Sequence, residues 1–136
     1  MSHHQLFMSW RKGVPQPIPI ELLLDILKRH GGQVSVPDET HLYVAFPAVD
    51  GDTRIGDDGL VTFNEEGAFE FGIDRPRYQP EFYALALDLI QTLDLCMLIS
   101  SGEEAFVSHQ DRIADLPAPL VEVAHVVETM DDFSKG

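Results

Sequence analysis

The sequence predicts an α+β fold, with helices packed on an antiparallel sheet of about five or six strands. Three observations carry that expectation. Two segments, Pro19–His30 and Pro80–Asp94, repeat apolar residues at helical spacing. Between and after them, short runs alternate apolar and polar residues, as half-buried strands do. Glycine, aspartate and glutamate cluster between those runs, where turns belong. Runs of strands set between helices favour segregated α and β elements over a parallel α/β arrangement. With 136 residues and 44% hydrophobic content, the chain is expected to form a single domain over 1–136 that needs no disulfide staple.

In chain order, residues 1–17 mix Met, Trp, Arg and Lys and end in Gly13-Val14-Pro15-Gln16-Pro17. They read as an irregular N-terminal arm from which Phe7 and Trp10 pack back on the domain. His3-His4 is assigned no metal. The first helix follows near Pro19–His30. Pro19 suits its first turn, Glu21 and Asp25 lie toward its positive end, and Lys28, Arg29 and His30 oppose the dipole at the other. Gly31-Gly32 supplies the stop, and Ile20, Leu23, Leu24 and Leu27 make the buried face.

Gln33–Val36 is a short strand, and His41–Pro47 a better one, with Leu42, Val44 and Phe46 alternating against His41, Tyr43 and Ala45. Asp50 to Gly59 is a polar loop. Leu60–Asn64 and Ala68–Ile73 form a hairpin about Glu65-Glu66-Gly67. Val61 and Phe63 share one face with Phe69, Phe71 and Ile73, while Thr62, Asn64, Glu70 and Asp74 point away.

Pro80–Asp94 is the central amphipathic helix. Its apolar arc (Phe82, Tyr83, Leu85, Ala86, Leu87, Leu89, Ile90 and Leu93) is wider than one contact surface needs, so neighbours on two sides, or a dimer seam, are expected. Leu95–Ile99 reads as a central strand and Ala105–Ser108 as its partner across Ser100-Ser101-Gly102-Glu103. Leu116–Met130 fits helical spacing through Leu120, Val123, Ala124, Val127 and Met130, although Val121, Val123, Val126 and Val127 keep strand open. Asp131–Gly136 is expected to fray.

The net charge of −14 is unevenly spread, with eleven acids and one base between Tyr78 and Ser134. Such a field repels nucleic acid and anionic membrane and favours capture of a basic protein partner. No apolar run reaches the ~18–20 residues of a membrane span, and the N-terminus lacks a basic start and long apolar core, so cytoplasmic residence is expected. The single cysteine, Cys96, lies in the apolar run Leu95–Ile99 and reads as a buried thiol.

Signatures of catalysis or cofactor binding are missing from the spacing. Asp50 and Asp52 match two positions of a calcium loop, but Arg54, Ile55 and Val61 fall where ligands or glycine are required. Ser108-His109-Gln110-Asp111 holds triad residue types as sequence neighbours, which is not how triads assemble. There is no nucleophile elbow, no His-Glu-x-x-His pair, and no glycine-rich phosphate loop ahead of a helix. No catalytic residue, metal or cofactor is assigned. A small enzyme would need a pocket assembled from His41, His109, Arg75 or Arg77 and carboxylates. Arg75 and Arg77 read instead as balancing Glu70, Asp74 and Glu81.

The signal that recurs is paired acids in turns: Asp57-Asp58, Glu65-Glu66 and Glu103-Glu104. If those turns share one sheet edge, six carboxylates face a partner, and these six are the candidate partner-binding residues.

With the hairpin Val61–Ile73, the Pro80–Asp94 helix and the acidic turns Glu65-Glu66 and Glu103-Glu104, the chain resembles bacterial toxin-immunity proteins. That resemblance implies a protein that binds and neutralises a cognate toxin by covering a basic surface, and no residue role is carried over by position. The chain also looks like secretion chaperones of the type III kind. That alternative implies a homodimer joined along Pro80–Asp94 and an exported client as partner.

Overall fold

The segment expected as an irregular arm is the middle of the sheet. A computed structural model describes residues 4–36, 38–46, 48–49, 51–53, 55–77, 79–99 and 104–135, and in it His4–Arg11 is strand β1. The chain continues through β2 (Val14–Gln16), helix α1 (Ile20–Arg29), β3 (Gln33–Ser35), β4 (His41–Ala45), β5 (Ala48–Val49) and β6 (Asp52–Thr53). Next come β7 (Asp58–Asn64), β8 (Gly67–Asp74), α2 (Pro80–Leu93), β9 (Cys96–Ile99) and β10 (Ala105–Val107). Two single turns, α3 (Gln110–Ile113) and α4 (Ala118–Val121), lead to β11 (Ala124–Val126) and a 3-10 helix, Met130–Lys135.

The fold is α+β. Among the described residues the main sheet has nine strands rather than five or six, in the order β11-β10-β9-β1-β8-β7-β4-β3 with β2 paired to β1, while β5 and β6 form a separate ribbon. The sheet is mixed rather than antiparallel throughout, because β10 and β11 run parallel. No helix among the described residues is long and apolar enough to cross a membrane.

β1 escapes sequence patterning because both its faces are buried. Phe7, fully buried, joins the core under the helices, whereas Leu6, Met8 and Trp10 join a second cluster on the opposite face. A strand covered on both sides shows no dry-and-wet alternation. Its turn is equally easy to miss. Lys12 and Gly13, at φ 51° and 78°, connect β1 to β2 with both central residues left-handed, as a two-residue hairpin of the primed kind requires.

The α1 and α2 expectations hold to within one residue at each end. α1 buries Leu23, Ile26 and Leu27, and α2 buries Phe82, Leu85, Ala86, Leu89 and Ile90. The wide arc of α2 is filled within the chain, by α1 on one side and the 3-10 helix on the other. Tyr83 stacks on Phe133 with ring centroids 5.2 Å apart, and Phe133 meets Phe106 at 5.5 Å. The tail is therefore anchored, not frayed, with the Asp132 carboxylate accepting from the Glu128 and Thr129 amides at 2.8 and 3.0 Å.

The predicted helix over 116–130 resolves into the α4 turn followed by β11. Pro117 and Pro119 open a single turn, and β-branched residues then favour the extended form, which β10 pairs in parallel register. Parallel strands need a crossover of about a dozen residues or more. Here Ser108–Val123 provides it and lays Ile113, Leu116 and Leu120 over the face of β9, β10 and β1 away from the helices.

In the β7–β8 hairpin, Thr62 pairs with Glu70 but Phe63 with Ala68, so β8 carries one extra residue, Phe69, at a bulge. The alternation expected to bury Phe69 therefore breaks, and Ala68 is fully buried in its stead. Gly67, at φ 143°, lets Ile18 bridge Ala68. A Cβ at that glycine would stand 2.6 Å from the Ile18 carbonyl oxygen.

The anchored tail gives a test that separates it from a frayed one. Phe133→Ala is expected to lower the unfolding free energy in urea titrations by about 3 kcal/mol, the usual cost of emptying a buried aromatic site. A change near zero would mean that the 3-10 helix is not docked in solution.

Candidate functional site

The sheet is covered unequally. α1 and α2 lie on one face, and the Ser108–Val123 crossover protects the other face only over β10, β9 and β1. Across β8, β7 and β4 that second face is open among the described residues. Cross-strand register aligns Tyr43, Leu60, Gly72 and Leu6 in one row across it. The row beside it is His41, Thr62 and Glu70, and on the other side Asp58 stands opposite Asp74.

Ordinarily such a face carries polar residues. Here Tyr43 is 51% exposed and Leu60 37% exposed, on the strands least shielded by the crossover. Gly72 interrupts the row of side chains, so a groove of about 670 Å³ opens over it, with Leu60 and Leu6 as apolar walls and Asp58, Glu70 and Asp74 at the rim. An aromatic and aliphatic floor inside a charged rim is the anatomy of a protein interface. A second depression of about 570 Å³ runs along β11 between Val121, His125 and Val126 and contains no comparable row.

The expected acidic edge divides. Asp58 begins β7 beside the end of β8, and Glu104 precedes β10 at the same end of the sheet. Glu65 and Glu66 turn the hairpin at the other end, seven residues along β8, or about 23 Å at strand rise. Antiparallel neighbours necessarily put successive turns at alternate ends. Asp57 is engaged within the chain: its carboxylate accepts from Arg77 at 2.5 Å and lies 3.7 Å from Arg75. Arg75 and Arg77 thus meet at Asp57, an acid that the expectation from proximity did not include. Glu104 faces His125 at 3.9 Å. Glu103 falls outside the described residues, as do Asp50 and Arg54 of the polar loop.

Other polar clusters have structural roles. Asp94 ends α2 in the left-handed region at φ 54°, a conformation costing about 1–2 kcal/mol for a residue with a Cβ. The Ser108 hydroxyl donates to its carboxylate at 2.7 Å and Arg112 at 3.3 Å, which holds it there. Ser108 is thus committed to Asp94, with His109 exposed beside it at the start of α3. His41 and His109 sit on strands, or beside strands, separated by five sheet spacings, about 24 Å. His41 and His109, which a His/Arg pocket was expected to combine, are therefore not brought together. Among the described residues no group of three His, Cys, Asp or Glu could hold a metal. Cys96 is buried, and burial pushes its thiol up to about 12, far from a reactive thiolate.

Between α1 and α2, Asp88 accepts from Thr92 Oγ1 at 2.7 Å and Arg29 Nη1 at 3.1 Å and meets His30 Nε2 at 2.9 Å. Partial burial opposes its charge, but the hydrogen bonds from Thr92 and His30 and the Arg29 guanidinium outweigh that and hold the carboxyl below its usual 3.8.

The residues missed from sequence are Tyr43, Leu60, Glu70 and Gly72. Their signal was present: Leu60 and Tyr43 lie at the polar-face positions of their strands, and a glycine interrupts β8. None of the protein-family models, curated proteins or solved structures compared with this chain matches it.

Because the folded-state pKa of Asp88 is depressed, its contribution is complete above the ordinary carboxylate value and fades as pH falls through the lowered one. Asp88→Asn is expected to cost about 1 kcal/mol at pH 7. The gap between wild type and variant in urea titrations should close below pH 3.8. A gap that persists unchanged at pH 2.5 would assign the effect to packing rather than charge.

Proposed function

We propose that this chain is an acidic cytoplasmic protein-binding module of the immunity type, which neutralises a cognate toxin by covering a basic surface with its open β4–β7–β8 face. The observation that carries this reading is the row of exposed Tyr43 and Leu60 and half-buried Leu6 set within the carboxylates of Asp58, Glu70 and Asp74. Buried aromatic and aliphatic anchors supply most binding energy in protein interfaces, while charge supplies rate and selectivity. A net charge of −14 extends the same preference over the whole molecule. Six acids were expected to share this task. Among the described ones, Asp58 lies on the open face, and Glu65-Glu66 becomes a distant contributor to the field.

The secretion-chaperone alternative depends on a dimer seam along α2, and that helix spends its apolar arc on α1, the sheet and the 3-10 helix. That leaves the immunity reading with the stronger support.

The test uses a partner captured from the native host and then purified. Tyr43→Ala combined with Leu60→Ala is expected to weaken the complex by about 30-fold or more, the effect of losing a hot spot of some 2 kcal/mol. Asp58→Lys is expected to slow association in surface plasmon resonance and flatten its salt dependence. Reversing Glu65 and Glu66 should leave dissociation unchanged. Loss of binding with the Glu65/Glu66 variant, but not with the Tyr43/Leu60 variant, would move the interface off the open face.

A further inference from the structure

We propose that the notch over Gly72 is a socket for one guanidinium side chain, an arginine of the bound partner. This rests on reading the open face as the partner surface and specifies what that face holds at its centre.

Gly72 stands between Leu60 and Leu6, each one strand spacing away, about 4.8 Å. A Cβ on Gly72 would lie 3.1 Å from Leu6 Cδ2, so the floor is backbone edged by one leucine methyl. Along its own strand Gly72 is flanked on the same face by Glu70 and Asp74, each about 6.8 Å off at strand rise, and Asp58 lies across from Asp74. The opening is therefore apolar along one axis and acidic along the other. An aliphatic stem with a cationic head fits both requirements.

Charge selects the occupant. Among the described residues no hydrogen bond or ion pair engages the Asp58 or Glu70 carboxylate. Among the described residues, Arg77 and Arg75 meet Asp57, Arg29 meets Asp88, and Arg112 meets Asp94 and Asp115. A second copy of the chain would set Asp58 and Glu70 against like charges, and an anionic ligand would be repelled. Arginine suits the site better than lysine, because its planar, weakly hydrated head desolvates more readily between two leucines and offers several donors to a carboxylate rim. Tyr43, two strands from Gly72, closes the row with an exposed ring and seats the residue next to that arginine.

The probes are the peptides acetyl-Gly-Leu-Arg-Leu-Gly-amide, its lysine counterpart, and its citrulline counterpart, which keeps the shape of arginine without the charge. Each is titrated into the full-length, 15N-labelled protein. The arginine peptide is expected to shift the amides of Leu60, Glu70 and Gly72, with the citrulline peptide at least tenfold weaker. Gly72→Val should abolish those shifts by filling the notch. Glu70→Gln, which leaves the backbone and the notch intact, should weaken binding several-fold and reduce its salt dependence, so the outcome does not hang on the folding of the valine variant. The proposal is overturned by equal binding of the arginine and citrulline peptides, by a lysine peptide as tight as the arginine one, by shifts mapping away from β7 and β8, or by no binding. If the peptides fail while Tyr43→Ala/Leu60→Ala still weakens the captured partner, the arginine socket is wrong and the open-face reading stands. If both fail, neither survives.

Discussion

The whole molecule depends on the pairing of β1 with two strands far from it in sequence. Leu6 pairs with Gly72 on one side and Leu98 on the other, so the first eleven residues unite the β7–β8 hairpin with the β9–β10 pair. Without β1 the sheet would fall into two smaller pieces, each with an unprotected edge of the kind that invites aggregation. β1 also contributes to both apolar clusters, as β9 and β10 do, with Phe7 in one and Met8 and Trp10 in the other. Closing loops of this length is entropically unfavourable and slow, and the contacts that reward it come late. β1 cannot complete its pairing until β9 has been synthesised.

What could be read from the sequence follows from how many sides of each element are buried. α1 and α2 are framed by prolines, acids and caps and show helical periodicity, so their spans were legible almost to the residue. β4 and the β7–β8 hairpin, covered on one face, alternate as expected except at the Phe69 bulge, where an inserted residue reverses the pattern. β1 was illegible because leucine, phenylalanine, methionine and tryptophan face both ways. β11 was misread because Leu120, Val123 and Val127 coincide with helical spacing although they belong to a turn, a loop and the end of a strand. The 3-10 helix was missed because one aromatic residue, Phe133, anchors a segment whose other residues are mostly polar.

The proposed surface was legible in character but not in place. Net charge and the scarcity of bases directed attention to carboxylates, yet acids in turns are the easiest to notice and the least constrained. Paired acids were expected to act together, and antiparallel connectivity distributes them to opposite ends of the sheet. The more informative residues are those that break a rule of their own strand. Leu60 and Tyr43 occupy water-facing positions where polar side chains are the norm, and Gly72 leaves a gap where a strand interior gains from a side chain. Recognising them as one row requires the register of four strands, and register is what a single sequence withholds.

Leu6 belongs at once to the wall of the open groove and to the cluster beneath the Ser108–Val123 crossover. Any occupant that shifts this side chain changes its packing against that layer, and linkage is reciprocal: whatever steadies or loosens the layer must alter affinity at the groove by the same factor. The face proposed to meet a partner and the cover that closes the far half of the sheet are thus joined through one leucine. Substitutions beneath the crossover, remote from any contact, are a means of tuning recognition without touching the recognition surface.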